Sequence, residues 1–172
     1  MHKAVFLDRD GVINEVKTKR VKFVNQPEQF YFLDGVAESI KKLNDHGYEV
    51  FVVTNQGGVG LKYMSERTLE EIHDYMVSAL EEKGAMITEV KACTHRPDEG
   101  CDCRKPEAGM IKDLVKKYDI DIEQSYMIGD REPDIKAGLS AGLKSLMVVG
   151  RSTLAYKNFR NLKEAVEWIL DN

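Results

Sequence analysis

No apolar run in the 172 residues approaches the roughly 20 that a membrane-spanning helix needs, which excludes a helical membrane protein. The N-terminal Met1-His-Lys-Ala-Val-Phe-Leu-Asp8 meets an acid after only a few apolar residues. It therefore lacks the longer apolar region and small-residue cleavage site of a secretory signal, and a cytoplasmic location is expected. Positive charge is not in excess either. Lys and Arg number 25 against 29 Asp and Glu, giving a net charge of −4. A surface tuned as a whole to nucleic acid is not expected from that balance. Cysteine is scarce and odd in number: Cys93, Cys101 and Cys103 fall within eleven residues, unlike a secreted disulfide framework. Repeats, linkers and low-complexity tracts are missing, so one domain spanning 1–172, monomeric, is expected.

What is present is an alternation of β-rich runs with capped helical stretches, the pattern of an α/β sheet with crossover helices. Ala4–Asp8, Tyr48–Thr54, Glu89–Cys93, Ser125–Gly129 and Lys144–Val149 read as five strands. One helix is expected from Asp34-Gly35 to Gly47. A second follows Ser65 as N-cap, with Leu69, Ile72, Met76 and Leu80 at helical spacing and Gly84 as its left-handed C-terminal residue. A third is expected to start at Pro106 and run to Tyr118, and a last one is capped by Asn161 and packs Trp168 partly against the body. Asp8, Thr54 and Asp130 each come at or just past the C-terminal end of a strand. In open α/β sheets ligands bind at that edge.

Asp8 and Asp10 are separated by one residue, and Gly11 relaxes the backbone after them, so both carboxylates can face one crevice. The segment also matches part of a calcium loop, but the later ligand positions and the terminal Glu of an EF-hand are missing. Phe6-Leu-Asp-Arg-Asp-Gly-Val-Ile-Asn14 resembles the first motif of the haloacid dehalogenase superfamily, and three further motifs follow in that family's order. Val52-Val-Thr-Asn-Gln56 resembles the second, Arg104-Lys105-Pro106 the third, and Gly129-Asp130-Arg-Glu-Pro-Asp134 the acidic fourth. Taken singly, each has a plainer reading: Thr54 as a strand-end hydroxyl, Lys105 as a surface charge before a helix, Asp134 as a first-turn acid on a helix dipole.

The resemblance implies a three-layer Rossmann-like parallel sheet with a minimal cap, and a phosphatase that runs through an aspartyl-phosphate on Asp8. Asp10 is the implied general acid and base. Thr54 and Lys105 are implied to stabilise the phosphoryl oxygens, with Asn55, Gln56 and Arg104 binding substrate. Mg²⁺ is implied at the Asp8 side chain, the Asp10 main-chain carbonyl and Asp130, an oxygen set suited to that ion. Asp134 is implied to support Asp130 or Lys105.

Cys93, His95, Cys101 and Cys103 offer three thiolates and an imidazole, the complement of a closed structural zinc site. A loop of incidental cysteines, or a redox pair at Cys101 and Cys103, is the alternative. Cys-x-His followed by Cys-x-Cys-Arg-Lys-Pro resembles the branch holding heptose 1,7-bisphosphate phosphatases and histidinol-phosphate phosphatases. Asp8-Arg-Asp-Gly-Val-Ile-Asn14 is similar to the first group. The five residues between His95 and Cys101 and Ile128-Gly-Asp-Arg131 lean towards the second, while Val16-Lys-Thr-Lys19 and Leu61, where the first group usually carries His-Gly-Tyr-Val and often Arg, count against heptose recognition. Hydrolysis of a small phosphorylated metabolite is expected, first a sugar phosphate of the heptose 1,7-bisphosphate type and alternatively histidinol phosphate, with a zinc-stabilised binding module as the rival of another class. The basic stretch Lys17, Lys19, Arg20 and Lys22 is either a solvated flap or a lure for an anionic substrate.

Overall fold

The computed structural model describes residues 1–172 and contains one six-stranded sheet, all of whose pairings are parallel. The strands are β1 (Ala4–Leu7), β2 (Glu49–Asn55), β3 (Glu89–Cys93), β4 (Tyr126–Gly129), β5 (Lys144–Val148) and β6 (Lys157–Phe159). The helices are α1 (Val36–Asp45), α2 (Glu66–Glu82), α3 (Gly109–Tyr118), α4 (Glu132–Ser140) and α5 (Leu162–Asp171). Spatial strand order is β3-β2-β1-β4-β5-β6. The chain therefore builds outwards from β1 in one direction and then from β4 in the other. The crevice between the C-terminal ends of β1 and β4 is the switch point where such sheets bind ligands.

Both faces of the central strands are covered, which is why they read as continuous apolar runs. Val5, Leu7, Val50, Val52, Ile128 and Leu146 pack in one core with the apolar faces of α1, α2 and α5. Ala4, Phe6, Phe51, Val53 and Met127 turn to the other face, against Met110, Ile111 and Leu114 of α3 and Ala137 of α4. Three layers result. No helix is long and apolar enough to cross a membrane.

Ser65 caps α2 by accepting from the Thr68 amide at 3.1 Å, and Asn161 caps α5 by accepting from the Glu164 amide at 3.0 Å. Gly84, at φ 79°, takes the left-handed turn expected after α2. Two expectations need correction. β6 was not foreseen, because three half-exposed edge residues, Lys-Asn-Phe, carry no alternation to read. The third helix starts at Gly109 rather than Pro106. Residues before it are occupied otherwise: the Lys105 amide donates to Asn55 Oδ1 at 2.9 Å, the Glu107 amide to the Arg104 carbonyl at 2.8 Å, and the Gly109 amide to the Asp102 carbonyl at 3.0 Å. That turn is what presents Lys105 to the crevice.

Candidate active site

β1 ends by sending Asp8 into the crevice, where its amide still donates to the Ile128 carbonyl of β4 at 3.0 Å. Lys105 approaches from the opposite wall and is almost wholly buried. Its Nζ donates to Asp8 Oδ1 at 2.8 Å, to the Val53 carbonyl at 2.8 Å and to Asp134 Oδ1 at 2.7 Å. Asp134, in the first turn of α4, spends its other oxygen on the amides of Asp130 and Arg131 at 3.2 and 3.1 Å. Both of its oxygens are thus committed to support, although Asp8, Asp130 and Asp134 each bring an oxygen within 4.8 Å of the others.

Asp130 stands across from Asp8, and its Oδ1 is buried without a hydrogen-bond partner. Leaving a buried carboxylate oxygen unmatched is costly unless a cation takes it up. Gly11, at φ 85°, lies against this carboxylate, and a Cβ there would sit 2.0 Å from Asp130 Oδ2. Any side chain at that position would close the space. The donor set is therefore one of hard oxygens around an unmatched acceptor, which fits a magnesium ion.

Electrostatics agree. Burial, then the neighbouring Asp134, pushes Asp8 well above the usual carboxylate range, while Lys105 opposes the shift. Burial and Asp134 likewise raise Asp130, to about 6. Burial acts to lower Lys105, but Asp8 and Asp134 outweigh it, and the ammonium stays charged. Three carboxylates facing one ammonium leave surplus negative charge. Because the folded Asp130 value of about 6 exceeds the ordinary 3.8, its contribution to stability is present below 3.8 and is lost as pH rises through about 6. Metal-free protein should accordingly melt lower as pH rises across that window, and added Mg²⁺ should raise the melting temperature increasingly over the same range. Thermal denaturation of chelator-treated, zinc-replete protein checks this; a magnesium effect independent of pH contradicts it.

Asp10 is held by four donor contacts. Its Oδ1 accepts from Arg9 Nη2 at 2.7 Å, Arg9 Nε at 3.1 Å and Asn14 Nδ2 at 3.0 Å, and its Oδ2 from Gln56 Nε2 at 3.1 Å. Burial acts to raise its pKa, but the Arg9 charge and these hydrogen bonds prevail and set it below the ordinary value. Thr54 is buried at the end of β2, its hydroxyl oxygen accepting from Gln56 Nε2 at 2.8 Å. Gln56 therefore links Thr54 to Asp10. The Asn55 side chain is engaged with the Lys105 backbone in both directions, at 2.9 and 3.0 Å, and fixes the lysine's loop. Arg104 reaches the cleft, its guanidinium over Gly57.

The cleft above these groups encloses about 670 Å³. Of the basic stretch only Lys17 lines it. Arg20 is paired with Glu15 and lies 4.0 Å over the Tyr31 ring, while Lys22 lies over Phe23. Phe23, Leu61, Tyr63 and Val149, all exposed by 45% or more, form an apolar rim that the sequence did not suggest. Arg9 was missed altogether: it is fully buried, and its Nη1 meets His73 Nε2 of α2 at 3.1 Å.

Beside the cleft, Cys93 at the end of β3 gathers with His95, Cys101 and Cys103, their ligand atoms within 4.8 Å of one another. His95 Nδ1 lies 3.2 Å from Cys103 Sγ and 3.5 Å from Cys93 Sγ, and the Cys93 and Cys103 sulfurs touch. The loop packs on the segment after β2, where a Cβ on Gly60 would meet the Arg96 amide and the Thr94 carbonyl at 2.7 and 2.8 Å.

Residues 102–160 match the HAD-hydrolase-like family model. Over 173 residues the chain is 36% identical to D-glycero-beta-D-manno-heptose-1,7-bisphosphate 7-phosphatase of Helicobacter pylori strain J99, covering 98% of this chain and 97% of that protein. It is 40% identical over 154 residues to the D-glycero-alpha-D-manno-heptose-1,7-bisphosphate 7-phosphatase of Photorhabdus laumondii, with 86% and 82% covered. The crystal structure of a D,D-heptose 1,7-bisphosphate phosphatase from B. bronchiseptica with magnesium and phosphate superposes with a TM-score of 0.90 at 31% identity, covering 98% of both chains.

Proposed function

Because the chain belongs to the heptose 1,7-bisphosphate phosphatase family of HAD-like hydrolases, we propose that it is a magnesium-dependent phosphatase removing one phosphate from a D-glycero-D-manno-heptose 1,7-bisphosphate. One observation carries the reading. Asp8, Lys105 and Asp130 converge where the sheet switches direction, around the unmatched Asp130 oxygen. Magnesium, held by the Asp8 side chain, the Asp10 main-chain carbonyl and Asp130, would neutralise surplus charge and polarise the phosphoryl group.

The chain's own residues do the rest. Lys105 neutralises an equatorial phosphoryl oxygen, and the Thr54 hydroxyl, whose oxygen already accepts from Gln56, turns its proton to another. Asp8 attacks phosphorus and becomes the aspartyl-phosphate as the sugar oxygen leaves with a proton from Asp10. Asp10 takes up that proton as the phosphate dianion enters and raises its proton affinity. In the second half-reaction Asp10, again a carboxylate, deprotonates the water that frees phosphate from Asp8. Asn55 acts through the Lys105 backbone rather than on substrate.

Lys17, Arg104 and Arg131 line the cleft and form no ion pair, whereas Glu15 is already paired with Arg20. A substrate bearing a second phosphate suits those cations. Histidinol phosphate, which carries an ammonium, does not. For the loop we adopt zinc: a Cys93–Cys103 disulfide would use two of the four converging groups and leave Cys101 and His95 without a reason to face them. With all four groups bound, no coordination position would remain for water, so this metal would serve to shape the wall behind Arg104 and Lys105.

A turnover panel tests the assignment, using protein whose metal content is first measured. About one equivalent of zinc and preferential phosphate release from heptose 1,7-bisphosphate over histidinol phosphate are expected. Preference for histidinol phosphate would overturn the substrate, and zinc-free protein of undiminished activity and stability would overturn the loop metal.

A further inference from the structure

Arg9 lies between the two proposed catalytic carboxylates, yet its side chain points away from the cleft. Val5 and Leu7 of β1 face the core shared with α2, and Arg9, just past the strand's end, keeps to that side and meets His73, whereas Asp8 and Asp10 line the crevice. Arg9 is fully buried, and its guanidinium lies 5.8 Å from the centroid of the Phe30 ring and divides its donors between two partners. Nε and Nη2 both converge on Asp10 Oδ1, and Nη1 meets His73 Nε2. Asn14 Nδ2 adds a third donor to the same carboxylate oxygen. Oδ1 is thereby saturated, and Oδ2, with only the Gln56 amide, is the oxygen left for proton transfer.

His73 is a half-buried residue on the flank of α2, beside the apolar row Leu69, Ile72 and Met76. Burial, reinforced by the Arg9 charge, lowers its pKa to about 3, so the ring is neutral at working pH. A neutral imidazole facing a guanidinium must accept at Nε2 and carry its proton on Nδ1. The contact fixes the one arm of Arg9 that Asp10 does not hold.

We propose that His73 is a positioning residue for proton transfer: through Arg9 it fixes the Asp10 carboxylate with Oδ2 aimed at the leaving oxygen. The proposal rests on Asp10 being the general acid. Arg9 is one step removed from the chemistry and His73 two; partners one step removed contribute about 10- to 100-fold at metal sites, and displacement of a catalytic group by about 1 Å costs a similar factor, so the lower end is expected for His73.

The test compares leaving groups in the first half-reaction alone, because in the second Asp10 serves as base whichever group has left. A sugar alkoxide must be protonated as it departs, whereas p-nitrophenolate leaves unaided, so a defect in acid delivery appears with the first and not with the second. For His73→Leu, the single-turnover rate of sugar release from heptose 1,7-bisphosphate should fall by about tenfold, and the burst rate of p-nitrophenolate release by less than about twofold. His73→Gln, which returns an acceptor to Arg9 Nη1, should recover most of the loss. If the leucine variant fails to fold, His73→Glu serves instead, since a carboxylate there draws Arg9 off Asp10 and should again depress the sugar phosphate selectively.

Asp10→Asn is the reference and should show the same split in the first half-reaction, enlarged. If it does, and the folded His73 variants lower both substrates alike or neither, His73 has no positioning role. If Asp10→Asn itself slows the first half-reaction equally with both substrates, the acid assignment falls and the proposal with it.

Discussion

Asp8→Asn is expected to lower turnover of heptose 1,7-bisphosphate by on the order of 10⁴ or more, because an amide cannot form the acyl-phosphate bond on which both half-reactions depend. The fold should persist, for a reason visible in the site. Lys105 keeps Asp134 at 2.7 Å and the Val53 carbonyl at 2.8 Å after the change, so no buried charge is orphaned. Asp8 meanwhile already resists ionisation, being buried beside Asp134. Replacing it by a neutral isostere removes one of the carboxylates crowding the ammonium. Metal-free Asp8→Asn protein should therefore melt no lower than its parent near neutral pH. Steady-state turnover and a melting curve on the same preparation check both halves; retention of full activity would refute the nucleophile.

Lys105→Met reverses that pattern and should give the largest loss of stability among single changes at the site. The lysine is the cation shared by Asp8 and Asp134, and all three are buried. Removing it leaves two carboxylates facing each other without compensation, a situation that costs about 3–5 kcal/mol. For a domain of this size that is a fall in melting temperature of about 10 °C. Acidification should lessen the deficit, since a proton can then neutralise one carboxylate. Activity should fall too, as the phosphoryl group loses its principal protein cation. A melting temperature within a degree or two of the parent would show that the lysine is not the keystone of this cluster.

Arg9 and Asn55 mark how far the sequence could be read. Asp8, Thr54, Lys105 and Asp130 were legible because each pairs a distinctive residue type with a strand end or a helix start, and strand ends announce themselves by apolar runs. Arg9 read as a spacer inside a motif. Nothing local says that a guanidinium there is buried, or that His73, some sixty residues on, receives it. Asn55 read as a substrate contact because it follows Thr54, yet its amide is engaged by the backbone of a loop fifty residues away. β6 escaped because its three edge residues carry no alternation, and the delayed start of α3 because the turn before it is held partly by the Asn55 side chain, fifty residues away.

By itself the sequence determined the layered parallel sheet, the order of the motif residues along its edge and the cluster of metal-ligating side chains, because periodicity, caps and short spacings are local properties of the chain. Only the tertiary structure decided which oxygen of Asp130 is unmatched, which cations of the basic stretch reach the cleft, and how α2 reaches Asp10 through Arg9. Those depend on burial and on contacts between segments far apart in sequence, where the energy of a charge is set by what surrounds it.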